Sequence, residues 1–490
     1  MTIPPLEEQL AKLTRDQEEA IDRLVAEAMF SNAALVATDP GGGKTRVAVS
    51  VLKRLGKQCV LILGPDSTDK SWRKELARQE VDLPVTRLRT REDADALVYG
   101  VPGVFFATKQ LLVRWSEDVA FVERGGKRRR TFKTTGLIES FSPDMVINDE
   151  AHEGGTSGST ATWRMLKKLK PQNPQDRYLL SLSGTPEGSN FVGAHRVTLW
   201  LWGDKDSTWV DNSVEVWKRK WCITEFDPFN KTSLKVVGEL EPGAYYQSLP
   251  CVLTWDVPSV PVDDQVVEVE LYPAQREAYD SMKKFMIAWI GDEMLTTKFP
   301  IAQRTRMRQA TLGMFSLSSE GEVVFDRGCE SSKIDVMLTR ILPQDFEGEP
   351  AVIFTNSRSF GEVLVYRLEA AGYRVGFWSG GLSTKKKDAL LEAFQAGDIQ
   401  YVVMVISAGG TGTDGLQAAT RNMLYMSSDD SWVKQKQSKA RVARIGGVGG
   451  TVRIRRLIAK DTLDSGILDR EIEAAVAAKK RLLALQKKIR

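Results

Sequence analysis

The run TDPGGGKTRVAVSVLKRL, residues 38–55, sets three glycines and a Lys-Thr pair between an apolar β-rich segment, AALVAT (33–38), and a helical pattern. The order strand, glycines, Lys-Thr, helix is what phosphate chemistry needs. Glycines let successive backbone N–H groups converge on phosphate oxygens, and the N-terminus of the helix adds a favourable dipole. Gly41, Gly42 and Gly43 are therefore candidates for a phosphate cradle. Lys44 can reach the β- and γ-phosphates, and the Thr45 hydroxyl can ligate Mg²⁺. The longer phosphate-loop pattern would have glycine where this chain has Thr38, so the match is to the shorter G-x-G-K-T form. The competing reading, a glycine-rich turn with an accidental Lys-Thr, is weakened by the flanking strand and helix.

Outward from this loop, apolar runs alternate with helix-length segments: CVLILG (59–64), VFFAT (104–108), MVIND (145–149) and YLLSLSG (178–184). The rhythm returns in AVIFTN (351–356), YRVGFWS (373–379), YVVMVIS (401–407), NMLYMSS (422–428) and TVRIRRLIA (451–459). Such runs read as βαβ units with buried parallel sheets, and they predict an α/β chain of two doubly wound lobes. The first lobe is expected over 1–258. A helical linker or insertion follows over 259–335, from the helical reading of PAQREAYDSMKKFMIAWIGDEM (273–294). The second lobe, 336–490, ends in a C-terminal helix. The region from about 187 to 258 is Trp-rich and irregular.

PDMVINDEAHEGG (143–155) is the second informative segment. An apolar strand delivers Asp149 and Glu150 at its C-terminal end, where α/β sheets place ligand chemistry. One carboxylate can hold Mg²⁺, directly or through water, and the other can orient and deprotonate an attacking water. The alternative is an acidic pair opening a solvated helix. The chain has two histidines; His152 stands beside the carboxylates, whereas His195 lies in no motif and reads as a surface or core residue.

A chain of 490 residues is long enough for two to three domains of about 150 residues each. Its net charge of +4, from 68 basic and 64 acidic residues, leaves any nucleic-acid contact to local patches. Cys59, Cys222, Cys251 and Cys329 have neither metal-ligand nor redox spacing, which argues against a zinc module or disulfide framework and fits a reducing, intracellular setting. The opening MTIPPLEEQL has no signal-peptide pattern, and no apolar run approaches the ~20 residues needed to span a bilayer. These features predict a cytoplasmic protein.

TDPGGGKT and NDEAH resemble motifs I and II of the superfamily two helicases. Other motifs of that family follow in order. LTRDQEEAIDRL (13–24) resembles the upstream Q-type motif, LILGPDSTDKSWRKEL (61–76) motif Ia, FFATKQLL (105–112) motif Ib and SLSGTPEG (181–188) motif III. AVIFTNSRSF (351–360) resembles motif IV, VISAGGTGTDGLQAA (405–419) motif V and WVKQKQSKARVARIGG (432–447) motif VI. Several weak patterns in the right order are more specific than any one of them. SGTP, the Pro and Trp of motif Ia, VEVELYPAQREAY (267–279), SSKIDVMLTRIL (331–342), AGGTGTDGLQAA (408–419) of motif V and ARVARIGG are similar to the Swi/Snf branch, from which Asp414, Gly415, Ala443 and Gly447 depart. The chain also looks like compact relatives encoded by phages and mobile elements.

The resemblance implies two tandem RecA-like P-loop NTPase lobes, ATP and Mg²⁺ as cofactors, and a DNA helicase or translocase worked by ATP hydrolysis at the interlobe cleft. In that family's terms Gln17 would read adenine, and Gly412 and Asp414 would join the nucleotide site. Thr45, Asp149 and Glu150 would hold the metal. Lys44, Asp149, Glu150 and His152 would act in hydrolysis, with Arg441 and Arg444 reaching the nucleotide from the second lobe. Their spacing of three on a predicted helix puts both arginines on one side. Thr108, Ser183, Thr185, Ser407, Gly409 and Gly410 would grip nucleic acid or relay motion. Between motifs Ib and II, FVERGGKRRRTFKTT (121–135) predicts a hairpin, within 118–136, with a charged tip around Gly125-Gly126. Lys127, Arg128, Arg129 and Arg130 are its candidate phosphate contacts, against the alternative of a solvated loop. Arg304, Arg306 and Arg308 form a weaker basic candidate, and the C-terminal AAKKRLLALQKKIR reads as an amphipathic docking helix rather than a DNA arm. The partner is expected to be DNA, duplex or branched, with RNA the alternative. A non-hydrolysing nucleic-acid-binding protein is the reading from another class.

Overall fold

Cys59–Leu63 is five residues of unbroken apolar sequence, every one of them buried, and such a segment can satisfy both its faces only inside a covered sheet. In the computed structural model it is an interior strand of the first of two parallel sheets, between Met145–Asp149 and Gly103–Ala107. The structure describes residues 6–124, 127–153, 160–171, 176–188, 190–203, 208–227, 230–291, 299–317, 323–406, 415–427, 431–444 and 446–489. They divide into two units, one of residues 1–258 with 476–490, the other of residues 259–475.

The sheet of the first unit has seven strands in the order Val252–Leu253, Ala33–Val36, Tyr178–Leu182, Met145–Asp149, Cys59–Leu63, Gly103–Ala107, Val85–Arg87. All neighbouring pairs are parallel. Val36 pairs with Leu182, and Leu182 with Asp149. This register brings three chain turns, each following the C-terminal end of a strand, to one edge of the sheet. Ser183 N–H donates to Val36 O at 3.0 Å and Ala151 N–H to Leu182 O at 3.0 Å, so the turns are tied directly to one another.

The second unit holds a six-stranded parallel sheet in the order Val262–Val269, Val452–Ala459, Asn422–Tyr425, Ala351–Thr355, Tyr401–Val405, Val375–Trp378. The two sheets with their connecting helices are tandem RecA-like lobes. Three edge strands escape the sequence pattern: Val85–Arg87, Val252–Leu253 and Val262–Val269. The last corrects the expectation that 259–335 is a helical linker. Its VDDQVVEV is half exposed along an edge, and it pairs over its whole length with Val452–Ala459. Helices Pro273–Gly291 and Phe299–Ala310 come only after it. The Trp-rich region also contains regular structure, an antiparallel ribbon of Cys222–Asp227 and Asn230–Glu239.

Between Glu117–Arg124 and Lys127–Thr134 runs a second antiparallel ribbon, in which Arg124 pairs with Lys127. Its root is clamped by Arg164, which donates to both oxygens of Glu117 at 2.7 and 2.8 Å. Gly125, Gly126 and the side chains of Lys127, Arg128, Arg129 and Arg130 lie outside the described residues.

The sequence pattern assigns the last helix, Leu463–Ile489, to the second lobe, but from Val476 onward it belongs to the first unit. Arg481 is the reason. It is 7% exposed, donates to Glu187 Oε1 at 2.8 Å and to Glu239, and its guanidinium lies over the Phe191 ring. Removing one member of a buried ion cluster strands the others. Arg481→Met is therefore expected to destabilise the first unit by about 3–5 kcal/mol, read as a lower denaturant midpoint. An unchanged midpoint would show that Glu187 and Glu239 are solvated without Arg481.

Candidate active site

Gly41 and Gly43 take φ of +85° and +77°, the left-handed region that glycine enters without strain. A side chain at Gly42 would stand 2.4 Å from Thr38 Cγ2 and 2.8 Å from Val257 Cγ2, and one at Gly43 would stand 2.4 Å from Gln17 Nε2. Gly41 and Gly43 thus supply the left-handed turn, and Gly42 and Gly43 the close approach of the loop to Thr38, Val257 and Gln17. Helix Lys44–Arg54 begins immediately after, with Gly43 as its cap and no capping side chain. An anion is the natural complement of such a terminus. Lys44 Nζ lies on the carbonyls of Thr38 (2.8 Å) and Asp39 (3.3 Å), and Thr45 is half-buried in the first turn.

The loop is held from behind. Gln17, 3% exposed, donates through Nε2 to Gly42 O at 2.9 Å, and Trp255 donates through Nε1 to the same oxygen at 2.8 Å. Gln17 therefore supports the loop with its nitrogen. Its Oε1 is buried without a hydrogen-bond partner among the described residues, an acceptor of the kind an adenine amino group would meet.

Asp149 ends its strand 6% exposed. Trp72 Nε1 donates to its Oδ2 at 3.0 Å and the Glu150 N–H to its Oδ1 at 2.9 Å. Burial, together with neighbouring Glu150, pushes the Asp149 carboxyl above the usual range, against the pull of Trp72, Lys44 and Lys109. Glu150 sits at φ +46°, unusual for a residue with a side chain. Lys109, 3% exposed, donates to the carbonyls of Asp149 (2.8 Å) and Glu150 (2.7 Å), holding the strained dipeptide from below. The donors suit a Mg²⁺ shared with phosphate oxygens: one hydroxyl, Thr45, and two carboxylates. No cluster of three or more acidic, His or Cys ligands exists among the described residues, so an all-protein cage is not what they offer.

His152 joins this turn to the next. Its Nδ1 is 2.9 Å from Ser183 Oγ and 3.4 Å from Glu150 Oε2, and Ser183 Oγ accepts the Thr185 N–H at 3.1 Å. Burial, aided by the charges of Lys109 and Lys44, pushes the His152 imidazole down to about 3. His195 is wholly buried against the Trp217 ring with Nε2 2.6 Å from Asp211 O, and burial pushes it down to about 4. Both are neutral in the folded chain at pH 7. On unfolding each regains its ordinary value of 6.5, so below that pH the unfolded chain binds more protons and stability falls as pH drops toward the folded values. Each histidine contributes a slope approaching about 1.4 kcal/mol per pH unit. His195→Gln is expected to flatten the loss between pH 6.5 and about 4, measured by denaturant titration. An unchanged slope would mean that His195 titrates normally.

The structure therefore brings Gln17, Gly41, Gly42, Gly43, Lys44, Thr45, Asp149, Glu150, His152, Ser183 and Thr185 to one sheet edge. Thr108 instead caps a helix: its hydroxyl accepts Leu111 N–H at 3.2 Å at the start of Lys109–Ser116. In the second unit, Arg441 and Arg444 do not share a helix as expected. Helix Trp432–Lys439 stops before them, and they lie in turns ahead of Gly446 and Gly447, glycines that disfavour continued helix. Arg441 is 8% exposed and Arg444 donates to Ala440 O at 2.7 Å. Ser407, Gly409, Gly410, Gly412 and Asp414 lie outside the described residues. Sequence reasoning misses Trp72 and Lys109, which lie within motifs Ia and Ib where no local pattern shows that they meet Asp149. Nothing in the sequence marks Trp255.

Two protein families match. "Type III restriction enzyme, res subunit" covers residues 10–188 and "Helicase conserved C-terminal domain" residues 332–446. The chain is 32% identical over 107 residues to the ATP-dependent RNA helicase RhlB of Xanthomonas axonopodis pv. citri, covering 22% of this chain and 18% of RhlB. It is 24% identical over 457 residues to the putative ATP-dependent helicase/translocase YwqA of Bacillus subtilis, covering 89% of this chain and 45% of YwqA. It thus spans less than half the length of either relative. The helicase domain of Pyrococcus furiosus Hef shares the fold, with a TM-score of 0.51 at 16% identity, over 91% of this chain and 96% of that one. With the motifs in order on two tandem lobes, each lobe carries one of the two matched domain families, and the chain is similar to the superfamily two helicases and translocases.

Proposed function

We propose that this chain is an ATP-driven motor on DNA, a helicase or translocase that couples ATP hydrolysis to movement along or unwinding of DNA. The observation that carries the reading is the convergence of the glycine cradle, Lys44, Asp149, Glu150 and the His152–Ser183 link on one sheet edge. Backbone N–H groups and Lys44 bind the β- and γ-phosphates, and Gln17 Oε1 is available to the base. Thr45 and Asp149 hold Mg²⁺, which when bound neutralises charge on the phosphate oxygens. Glu150 orients the attacking water and takes its proton. Neutral His152 passes changes at Glu150 to Ser183 and Thr185. Arg441 and Arg444 enter this reading through their motif alone, as donors to the charge that builds up in phosphoryl transfer.

The presence of Lys44, Asp149, Glu150, Arg441 and Arg444 counts against a degenerate, non-hydrolysing binding protein. DNA is favoured by the SGTP of motif III, by the Swi/Snf-like motifs Ia and V, and by the basic ribbon. The similarity to RhlB over 107 residues is the specific observation on the side of an RNA helicase. Four buried free thiols fit a cytoplasmic setting, and no helix among the described residues is long and apolar enough to cross a membrane.

The test is the ATPase rate with single-stranded, duplex and branched DNA and with RNA. Stimulation by DNA is expected, with duplex or branched DNA at least as effective as RNA; stimulation by RNA alone would overturn the assignment. Replacing Lys127, Arg128, Arg129 and Arg130 together with alanine is expected to weaken DNA binding and reduce the salt slope by about one unit per lost phosphate contact. Basal ATPase should survive.

A further inference from the structure

Trp255 belongs to none of the motifs, yet its indole N–H ends on the phosphate loop. The sheet puts it there. The short edge strand Val252–Leu253 runs parallel to Ala33–Val36, with Leu35 opposite Val252 and Val36 opposite Leu253. Leu35 N–H donates to Cys251 O at 3.0 Å and Ala37 N–H to Leu253 O at 2.8 Å, so the pairing continues to the foot of the loop. Beyond it the two segments remain side by side. Trp255, 6% exposed, donates to Gly42 O, and Val257 packs so closely that a Cβ at Gly42 would lie 2.8 Å from its Cγ2. Asp256, between them, is held by Lys12 Nζ at 2.9 Å and Gln486 Nε2 at 2.6 Å. One residue past Val257, at Pro258, the first unit ends and the chain enters the second.

We propose that Trp255 is a positioning residue for the nucleotide site, and that the Trp255–Val257 segment carries occupancy of the phosphate loop to the point where the chain leaves the first unit. The inference rests on the reading of the loop as an ATP site. The physical argument is local. The Gly42 carbonyl accepts two N–H donors, from Gln17 and Trp255. Both fix the peptide plane whose neighbours must point their N–H groups at phosphate. Any rotation of that peptide when phosphate binds must move the indole or break its bond. The indole is buried and cannot swing out, whereas its chain neighbour Asp256 is held only by exposed contacts to Lys12 and Gln486, so the movement passes along the backbone through Val257 toward Pro258. An ordinary core tryptophan with a conveniently satisfied N–H would bind the same carbonyl without carrying anything, and the two cases separate by experiment.

The experiment combines ADP binding with Mg²⁺, ATPase kinetics and hydrogen exchange on the full chain, wild type and Trp255→Phe, with Lys44→Ala as the control for the site. Phenylalanine keeps an aromatic ring and removes the donor. Loss of one buried hydrogen bond is expected to weaken ADP binding and raise KM for ATP about three- to tenfold, with kcat within about twofold, since a support used equally in ground and transition states moves KM. In the wild type ADP should protect amides both in 40–46 and in 252–258. In Trp255→Phe at saturating ADP only 40–46 should remain protected. If the wild type binds no ADP, the ATP reading fails and the inference falls with it. If the wild type binds ADP but protection stops at 40–46, or Trp255→Phe behaves as wild type, the inference alone is overturned. Should Trp255→Phe not fold, judged by its melting, exchange in the wild type decides.

Discussion

Lys44→Ala is expected to reduce ATP hydrolysis by at least on the order of 10²–10³-fold while the chain stays folded. Its Nζ stands at the mouth of the glycine cradle, within reach of two loop carbonyls, those of Thr38 and Asp39. A phosphate seated on the cradle would draw it off those neutral acceptors to a charged one, which is the stronger partner. The fold should tolerate the change, because Lys44 is half-buried at the first position of its helix and alanine is the best helix former. ATPase rate and a melting curve on the same preparation test the pair of claims. Wild-type turnover in folded Lys44→Ala would remove the cradle from the mechanism.

Glu150→Gln is expected to slow turnover by roughly 10²–10⁴-fold and to leave binding of ATP with Mg²⁺ nearly intact. The structure explains why the two effects should separate. The turn is built from backbone groups: the Glu150 N–H on Asp149 Oδ1, and the Glu150 carbonyl on Lys109 Nζ. Glutamine keeps all of these and the size of the side chain, and loses the negative charge and with it the capacity to take a proton. Single-turnover hydrolysis beside equilibrium nucleotide binding is the measurement. Collapse of affinity with normal turnover per bound ATP would make Glu150 a metal holder rather than a base.

Much of this molecule is legible in its sequence. The strands Ala33–Val36, Cys59–Leu63, Met145–Asp149 and Tyr178–Leu182 are short apolar runs whose burial on both faces writes itself into composition. Two of the edge strands carry no such signature. Val262–Val269 carries three acids and buries only Val267 and Val269, and Val252–Leu253 is only two residues long, so pairing with a remote partner alone defines them. The helix expected to hold Arg441 and Arg444 ends early for a related reason: spacing of basic residues is a weak guide where glycines follow.

The sequence by itself determined the α/β character, the two-lobed order of motifs and the local make-up of the glycine loop and the Asp149–Glu150 pair. In each case neighbouring residues must act together, and the pattern is local. Tertiary structure alone decided which distant residues support them. Lys109 lies 40 residues from Asp149, Trp72 lies 77 from it and Trp255 lies 213 from Gly42. Arg481 lies 294 residues from Glu187. A buried lysine, two indoles and an arginine find these partners because the parallel register stacks strand ends and the last helix returns to the first unit. Pairing across a sheet depends on which strands become neighbours, and no periodicity along one segment encodes that.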